Sequence, residues 1–136
     1  MEFHVAVDPR GFVRCVFEGG LELRAARLAW REASRLAFEQ GHGVLYDAVR
    51  SSNRCSFPSL YRFARDREQN YEHVDHSTCK MAILSQENGG AVRWAFLVFA
   101  AETDGLEMRH FHEEAAAVGW LIEVGEDGED GEDGGR

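Results

Sequence analysis

The sequence predicts an α/β domain with a mainly parallel sheet of four to five strands, an antiparallel N-terminal edge strand and about four helices. Strand-like and helix-like segments alternate along the chain in the order ββαβαβαβα. Only a short turn separates the first two strands, which suits an antiparallel hairpin. Helical segments separate the later strands, as parallel crossovers require. The length of 136 residues is enough for one domain with its own core.

A hairpin and a long helix are expected at the start of the domain. Residues 3–7 alternate in the manner of a strand, residues 8–11 hold the turn formers proline and glycine, and residues 12–17 are rich in β-formers. In residues 21–40 the apolar side chains recur at the spacing of one helical face, and Gly41 ends the helix. The residues of that face are Ala26, Ala29, Trp30, Ala33, Leu36 and Ala37.

The residue pattern in the middle of the chain predicts a strand, a loop, a helix and a second strand. Residues 44–49 predict a short buried strand, and a polar loop follows over residues 50–55. Ser56 is a suitable N-cap and Pro58 is tolerated in the first turn, so a helix is expected next. Its inward-facing residues are Leu60, Phe63, Ala64 and Tyr71. Residues 79–84 predict the next strand.

The closing segment predicts helix, strand and helix. Residues 91–102 are apolar all round and ambiguous by period alone. We predict a helix for two reasons. Two parallel strands of a sheet must be joined by a crossover segment, and Asn88 could cap a helix that begins here. Residues 108–111 predict the last strand, and Glu113 and Glu114 favour a helix start through the macrodipole. The expected inner face of that helix consists of Ala117, Trp120 and Leu121.

Composition restricts the function classes. The chain has 15 Lys and Arg against 24 Asp and Glu, for a net charge of −9. This charge argues against a nucleic-acid groove or an anionic membrane surface. The longest strongly apolar stretch, residues 94–101, is too short to span a bilayer, and the N-terminus does not resemble a signal peptide. The three cysteines lack metal-binding spacing, so we expect free thiols in a reducing cytoplasm.

The last twelve residues differ from the rest of the chain. Residues 125–136 repeat Gly-Glu-Asp three times and contain no apolar side chain. Nothing in them can offset the entropy of ordering, so we expect a disordered acidic tail after a folded domain of residues 1–124. The tail would keep the protein soluble or would dock on a partner.

Several segments are similar, in order and spacing, to those of one known family. The strand Val44-Leu45-Tyr46-Asp47 ends in aspartate, and residues 80–84 form the next central strand. The domain ends with a helix at residues 93–101, a strand at 107–111, and an acidic turn that leads to an alanine- and tryptophan-containing helix at 113–121. With these segments, and best at the ending, residues 1–122 resemble the SpoIIAA-like (STAS) domains, the anti-sigma-factor-antagonist fold that is also related to Sec14-type lipid-binding domains.

The resemblance implies a non-enzymatic domain that binds a protein partner and is switched by phosphorylation of a serine before the second helix. Family members place that serine about nine residues after the strand aspartate, and nine residues after Asp47 lies Ser56. Cys55 stands where the family has aspartate, and Phe57-Pro58 stand where it has serine-glycine. The alternative is that Ser56 only caps the helix.

The polar segment around this serine is the main candidate site. Arg50 and Arg54, together with the helix N-terminus, could hold an anion where a parallel strand ends. The alternative is an ordinary solvated loop. Beside Arg54 and the helix end, Cys55 could have a lowered pKa and react as a nucleophile, and an enzyme that uses Cys55 is the third possible function. The candidate residues for phosphorylation or partner binding are Asp47, Arg50, Ser51, Ser52, Arg54, Ser56 and Ser59.

A second candidate surface is aromatic. Trp94, Phe96 and Phe99 cannot all enter the core from one helix, so we expect Trp94 inside and the other two at a partner or ligand. The expected partner is a protein, and it could be a second copy of this chain in a homodimer. The alternative function is binding of a small, lipid-like molecule beneath this helix. We expect no cofactor and no metal, since the histidine pairs His110/His112 and His73/His76 each supply only two ligands.

Overall fold

The computed structural model describes residues 1–71, 79–86 and 90–123. Within them the chain forms five strands and five helices. The strands are β1 (Glu2–Asp8), β2 (Phe12–Gly20), β3 (Gly43–Ser52), β4 (Lys80–Leu84) and β5 (Glu107–Phe111). The helices are α1 (Leu23–Gln40), α2 (Phe57–Arg65), α3 (Arg67–Asn70), α4 (Ala91–Thr103) and α5 (Glu114–Leu121). The predicted acidic tail, His73, His76 and the Asn88 cap lie outside the described residues.

The sheet has five strands in the order β1-β2-β3-β4-β5. β1 is antiparallel to β2 at one edge, and β2 to β5 run parallel to one another. Tyr46 of β3 stands opposite Ile83 of β4 in the register. The predicted α/β class and the antiparallel N-terminal edge strand are therefore confirmed.

Two apolar cores lie on opposite faces of the sheet, because successive side chains of a strand point to opposite sides. The larger core joins α1, α2 and α4 to one face, and α5 packs on the other against Phe12, Leu45, Ala82 and Leu84. An aromatic group fills the larger core, with the rings of Trp30 and Tyr46 stacked at 3.7 Å between centroids.

The structure corrects two element boundaries. β3 extends to Ser52, so the first part of the predicted loop is strand, because the end of β2 pairs with Arg50–Ser52 beyond a register shift. The predicted helix of residues 57–71 is interrupted at Asp66, whose ψ of 72° is not helical. Asp66 accepts a bond of 3.1 Å from Arg27 of α1, which ties the break to the neighbouring helix.

Candidate functional site

Ser56 is the N-cap of α2, as the sequence predicts. Its Oγ accepts a hydrogen bond of 3.2 Å from the backbone N–H of Ser59 and donates one of 2.8 Å to Ser59 Oγ. Nη2 of Arg62 donates to the same Ser59 hydroxyl at 3.5 Å. Ser56 is solvent-exposed. An accessible hydroxyl therefore lies at the positive end of a helix, and its partner Ser59 is contacted by an arginine one turn further along.

Phe57 is an exposed aromatic residue beside this serine. Its side chain is 41% exposed. The guanidinium carbon of Arg93 lies 5.4 Å from its ring centroid, and the Phe96 ring lies edge-on at 5.0 Å. Nε of Arg93 also donates to the carbonyl of Cys55 at 3.0 Å. The start of α2 is thus fixed to α4 through an arginine and two aromatic rings. We call Arg54, Ser56, Phe57, Ser59 and Arg62 the serine surface.

The three aromatic residues of α4 divide as expected between core and surface. Trp94 is buried, and its ring is nearly parallel to that of Phe17, with 6.5 Å between centroids. Phe96 is half-buried against the core, and Phe99 is 62% exposed. Val92 is also exposed on this helix. The outer side of α4 is therefore apolar.

The strand residues proposed for the site lie away from the serine surface. Asp47 points to the α5 face, where its Oδ2 accepts a 2.8 Å hydrogen bond from Arg14. Arg50 pairs with Glu18 at 3.2 Å, and Ser51 Oγ donates to the carbonyl of Gly19 at 2.8 Å. The structure therefore brings together Ser56, Ser59 and Arg62 but not Asp47, Arg50 and Ser51. Arg54 is exposed two residues before Ser56. Ser52 contributes its backbone, whose carbonyl accepts from the N–H of Leu21 at 2.8 Å.

The expected lowering of the Cys55 pKa is wrong. Burial raises the pKa of this thiol and outweighs the opposing effect of Arg93. Its Sγ lies 3.8 Å from the carbonyl oxygen of Leu21. A thiol that stays protonated is a poor nucleophile, so the structure gives no support to catalysis by Cys55.

A serine–histidine cluster at the carboxyl ends of β4 and β5 was not predicted as a unit. Ser85 Oγ lies 2.6 Å from Nε2 of His110, and Nδ1 of His112 lies 3.0 Å from the Ser85 carbonyl oxygen. Burial, and then the neighbouring His112, lower the pKa of His110. Ser85 is only 2% exposed, so a substrate cannot reach its hydroxyl. In the described part of the chain no three metal-binding side chains converge.

A cleft of about 300 Å³ lies between α1 and α2. Its lining combines apolar, cationic and anionic side chains, which are Leu23, Arg27, Ser59, Arg62, Phe63 and Asp66. Two of these residues belong to the serine surface, so a ligand in the cleft would contact the start of α2. The cleft opens beside α1, whereas the ligand site predicted from the sequence is beneath α4.

None of the helices in residues 1–71, 79–86 and 90–123 combines the length and apolar character needed to cross a bilayer. Comparisons of the chain with models of known families, with curated proteins and with solved structures found no match. The resemblance to STAS domains therefore stays a prediction.

Proposed function

We propose that this chain is a non-enzymatic, STAS-like regulatory domain that binds a protein partner through the serine surface and is switched by phosphorylation of Ser56. The observation that carries the proposal is the place of the Ser56 hydroxyl, exposed at the N-terminus of α2 and bonded only to Ser59 among the described residues. A kinase could reach this oxygen without unfolding the domain.

The electrostatics of the site favour a phosphate at this position. A phosphoserine carries roughly −1.5 to −2 charges at neutral pH, and helix N–H groups stabilise such an anion. Arg54 precedes the helix, and Arg62 already approaches the Ser59 hydroxyl on the next turn. The added charge would largely cancel the positive charge that Arg54 and Arg62 offer to a partner.

Phe57 supplies the apolar part of the proposed partner site. Aromatic residues, phenylalanine among them, and arginine are enriched at protein interfaces. The ring is held between Arg93 and Phe96 and is therefore positioned before binding. The three cysteines are free, which fits the cytoplasm as the proposed location.

The test combines phosphate mapping with partner capture. Mass spectrometry of the protein isolated from its own cells should find phosphate on Ser56. Captured protein should fall by about tenfold or more in Ser56→Asp and Phe57→Ala. Phe38→Ala, which removes a more exposed ring on α1 (59% against 41% for Phe57), should leave capture unchanged. Phosphate confined to other residues, together with equal capture by wild type and Ser56→Asp, would overturn the proposal.

A small amphipathic anion in the α1–α2 cleft is the second candidate. Two arginines beside Leu23 and Phe63 suit a ligand with a negative head and an apolar body. Arg27 is already paired with Asp66 at 3.1 Å, so such a ligand has to compete with that carboxylate. Native mass spectrometry of the freshly purified chain should show added mass that Arg62→Gln removes. A spectrum of the bare polypeptide would count against this function.

A further inference from the structure

Helix α4 has two apolar faces, and the sheet covers only one of them. The inner face consists of Trp94, Leu97, Val98 and Ala101, all of them buried. The outer face is formed by Val92, Ala95, Phe96 and Phe99, which follow the i, i+3, i+4, i+7 spacing of a helical stripe. We call these four residues the α4 stripe.

The α4 stripe leaves large apolar side chains in water. Val92 is 71% exposed and Phe99 is 62% exposed, and Phe57 of α2 extends the apolar surface beside Phe96. A contiguous apolar surface of this kind usually marks a contact with another molecule. None of the four stripe residues belongs to the serine surface, although Phe57 borders the stripe. Substitutions at Val92 and Phe99 therefore test this inference without changing the serine surface.

We propose that a second copy of this chain covers the α4 stripe, with the two α4 helices packed antiparallel about a two-fold axis. An axis at the level between Ala95 and Phe96 brings Val92 opposite Phe99 of the second copy and Ala95 opposite Phe96. The small residue at the centre faces a large one, so the two stripes can interdigitate at the close spacing of packed helices.

The charges at the two ends of α4 select the antiparallel arrangement. Arg54 lies at the N-terminal end, because the backbone of its neighbour Asn53 packs directly against Gly90. Glu102 lies at the C-terminal end and is exposed. In the described part of the chain neither residue forms an ion pair. The two-fold axis brings Glu102 of one copy to the α4 N-terminus of the other, next to Arg54 and to the positive end of the dipole.

A parallel pair of α4 helices would bring like charges together. Arg54 would then face Arg54 of the second copy, and Glu102 would face Glu102, which disfavours association. In the antiparallel pair, opposite charges meet at both ends of the stripe, and small and large side chains meet at its centre. The stripe is therefore complementary to a second copy of itself. The same features explain why a second copy suits this face better than an unrelated apolar segment.

The first test measures self-association by sedimentation velocity of the full chain from micromolar to millimolar concentration. We expect a reversible dimer that Phe99→Glu weakens by about tenfold or more. Phe38→Glu, with 59% exposure on α1, is the matched control and should leave the dimer unchanged. Val92→Glu repeats the test if Phe99→Glu does not fold by circular dichroism. A monomer at every concentration, or equal weakening by the control, would overturn the proposal.

The second test uses charge reversal to establish the arrangement. Arg54→Glu and Glu102→Arg should each weaken self-association by about threefold, because each homodimer then holds two like-charged contacts. An equimolar mixture of the two variants should regain wild-type affinity, since the heterodimer pairs opposite charges at both ends. A mixture that associates no better than the separate variants would rule out the antiparallel pair.

Discussion

Nη2 of Arg14 lies 2.8 Å from Oδ2 of Asp47, so a guanidinium on β2 holds the carboxylate of the neighbouring strand on the α5 side of the sheet. The same nitrogen lies 2.8 Å from Oε1 of Glu114 in the first turn of α5, and Nη1 lies 3.3 Å from its other oxygen. One arginine thus ties two strands to the helix that covers their outer face. The aspartate that suggested a functional strand end is, in the structure, part of this connection.

We expect Arg14→Gln to lower the free energy of unfolding by about 1–3 kcal/mol, because it leaves a partly buried Asp47 carboxylate unpaired. Chemical denaturation at neutral pH measures the change. Arg35→Gln is the matched control, since its i,i+4 pair with Glu39 is exposed on both sides and should be worth less than about 0.5 kcal/mol. Equal effects of the two substitutions would show that the Arg14 connection has no special role.

The Arg14 connection should also make the fold sensitive to acid. The hydrogen bond from Arg14 is the largest influence on Glu114 and lowers its pKa below the ordinary 4.5. A carboxylate whose pKa is lower in the folded chain than in the unfolded chain stabilises the fold. This stabilisation is complete above the pKa of the unfolded chain and is lost as the pH falls through the pKa of the folded chain. Wild type should therefore lose stability below about pH 4.5, and its advantage over Arg14→Gln should shrink there. An advantage independent of pH would contradict this assignment.

The sequence predicted the elements better than it predicted which residues meet. The order of elements follows from hydrophobic period, and the start of α2 follows from Ser56 and Pro58, because both signals are local. The position of Asp47 along the chain did not reveal which face of the sheet its side chain would occupy. Arg50 and Ser51 resemble a loop because they are polar, yet the end of β2 pairs with them.

The Ser85 and His110 contact shows a different limit of the sequence. The two residues are 25 positions apart, and their meeting requires that β4 and β5 be neighbours in a parallel sheet. The alternation of His110 and His112 was the available signal, and it indicated one strand face without indicating what lies opposite. For Cys55 the neighbouring arginine suggested a lowered pKa, but the extent of burial, which reverses the direction, is a tertiary property.

Substitutions of Ser56 should separate its capping role from its regulatory role. Ser56→Ala removes the acceptor of the Ser59 N–H and should lower stability by about 1 kcal/mol. Ser56→Asp keeps an acceptor at the N-cap and adds a negative charge at the positive helix end, so stability should be equal or higher. Thermal unfolding of both variants checks this, with Ser52→Ala as the exposed-serine control. A destabilised Ser56→Asp would mean that its loss of partner binding reflects unfolding.

Gly90 should be one of the least replaceable glycines of the described chain. Its φ of +102° is unfavourable for other residues, and an added Cβ would lie 2.8 Å from the backbone oxygen of Asn53. Gly90→Ala should therefore lower the unfolding free energy by about 3 kcal/mol. Gly105→Ala, at a φ of +89° with open space around the new carbon, should cost about 1 kcal/mol. Similar losses of unfolding free energy in the two variants would show that the close approach of Gly90 to the Asn53 backbone does not restrict the residue at position 90.

Protonation of His110 should weaken the fold in mildly acidic solution. Burial, followed by the charge of His112, lowers the pKa of His110 below its ordinary 6.5. The folded chain therefore favours the neutral ring, and the stability gained is complete above pH 6.5 and is lost as pH falls from there toward the folded pKa. Denaturation curves across this range should show a steeper decline for wild type than for His110→Gln, which does not titrate and can still bond to Ser85. The difference between the two curves measures the contribution of His110. Parallel curves would show that its protonation is not coupled to folding.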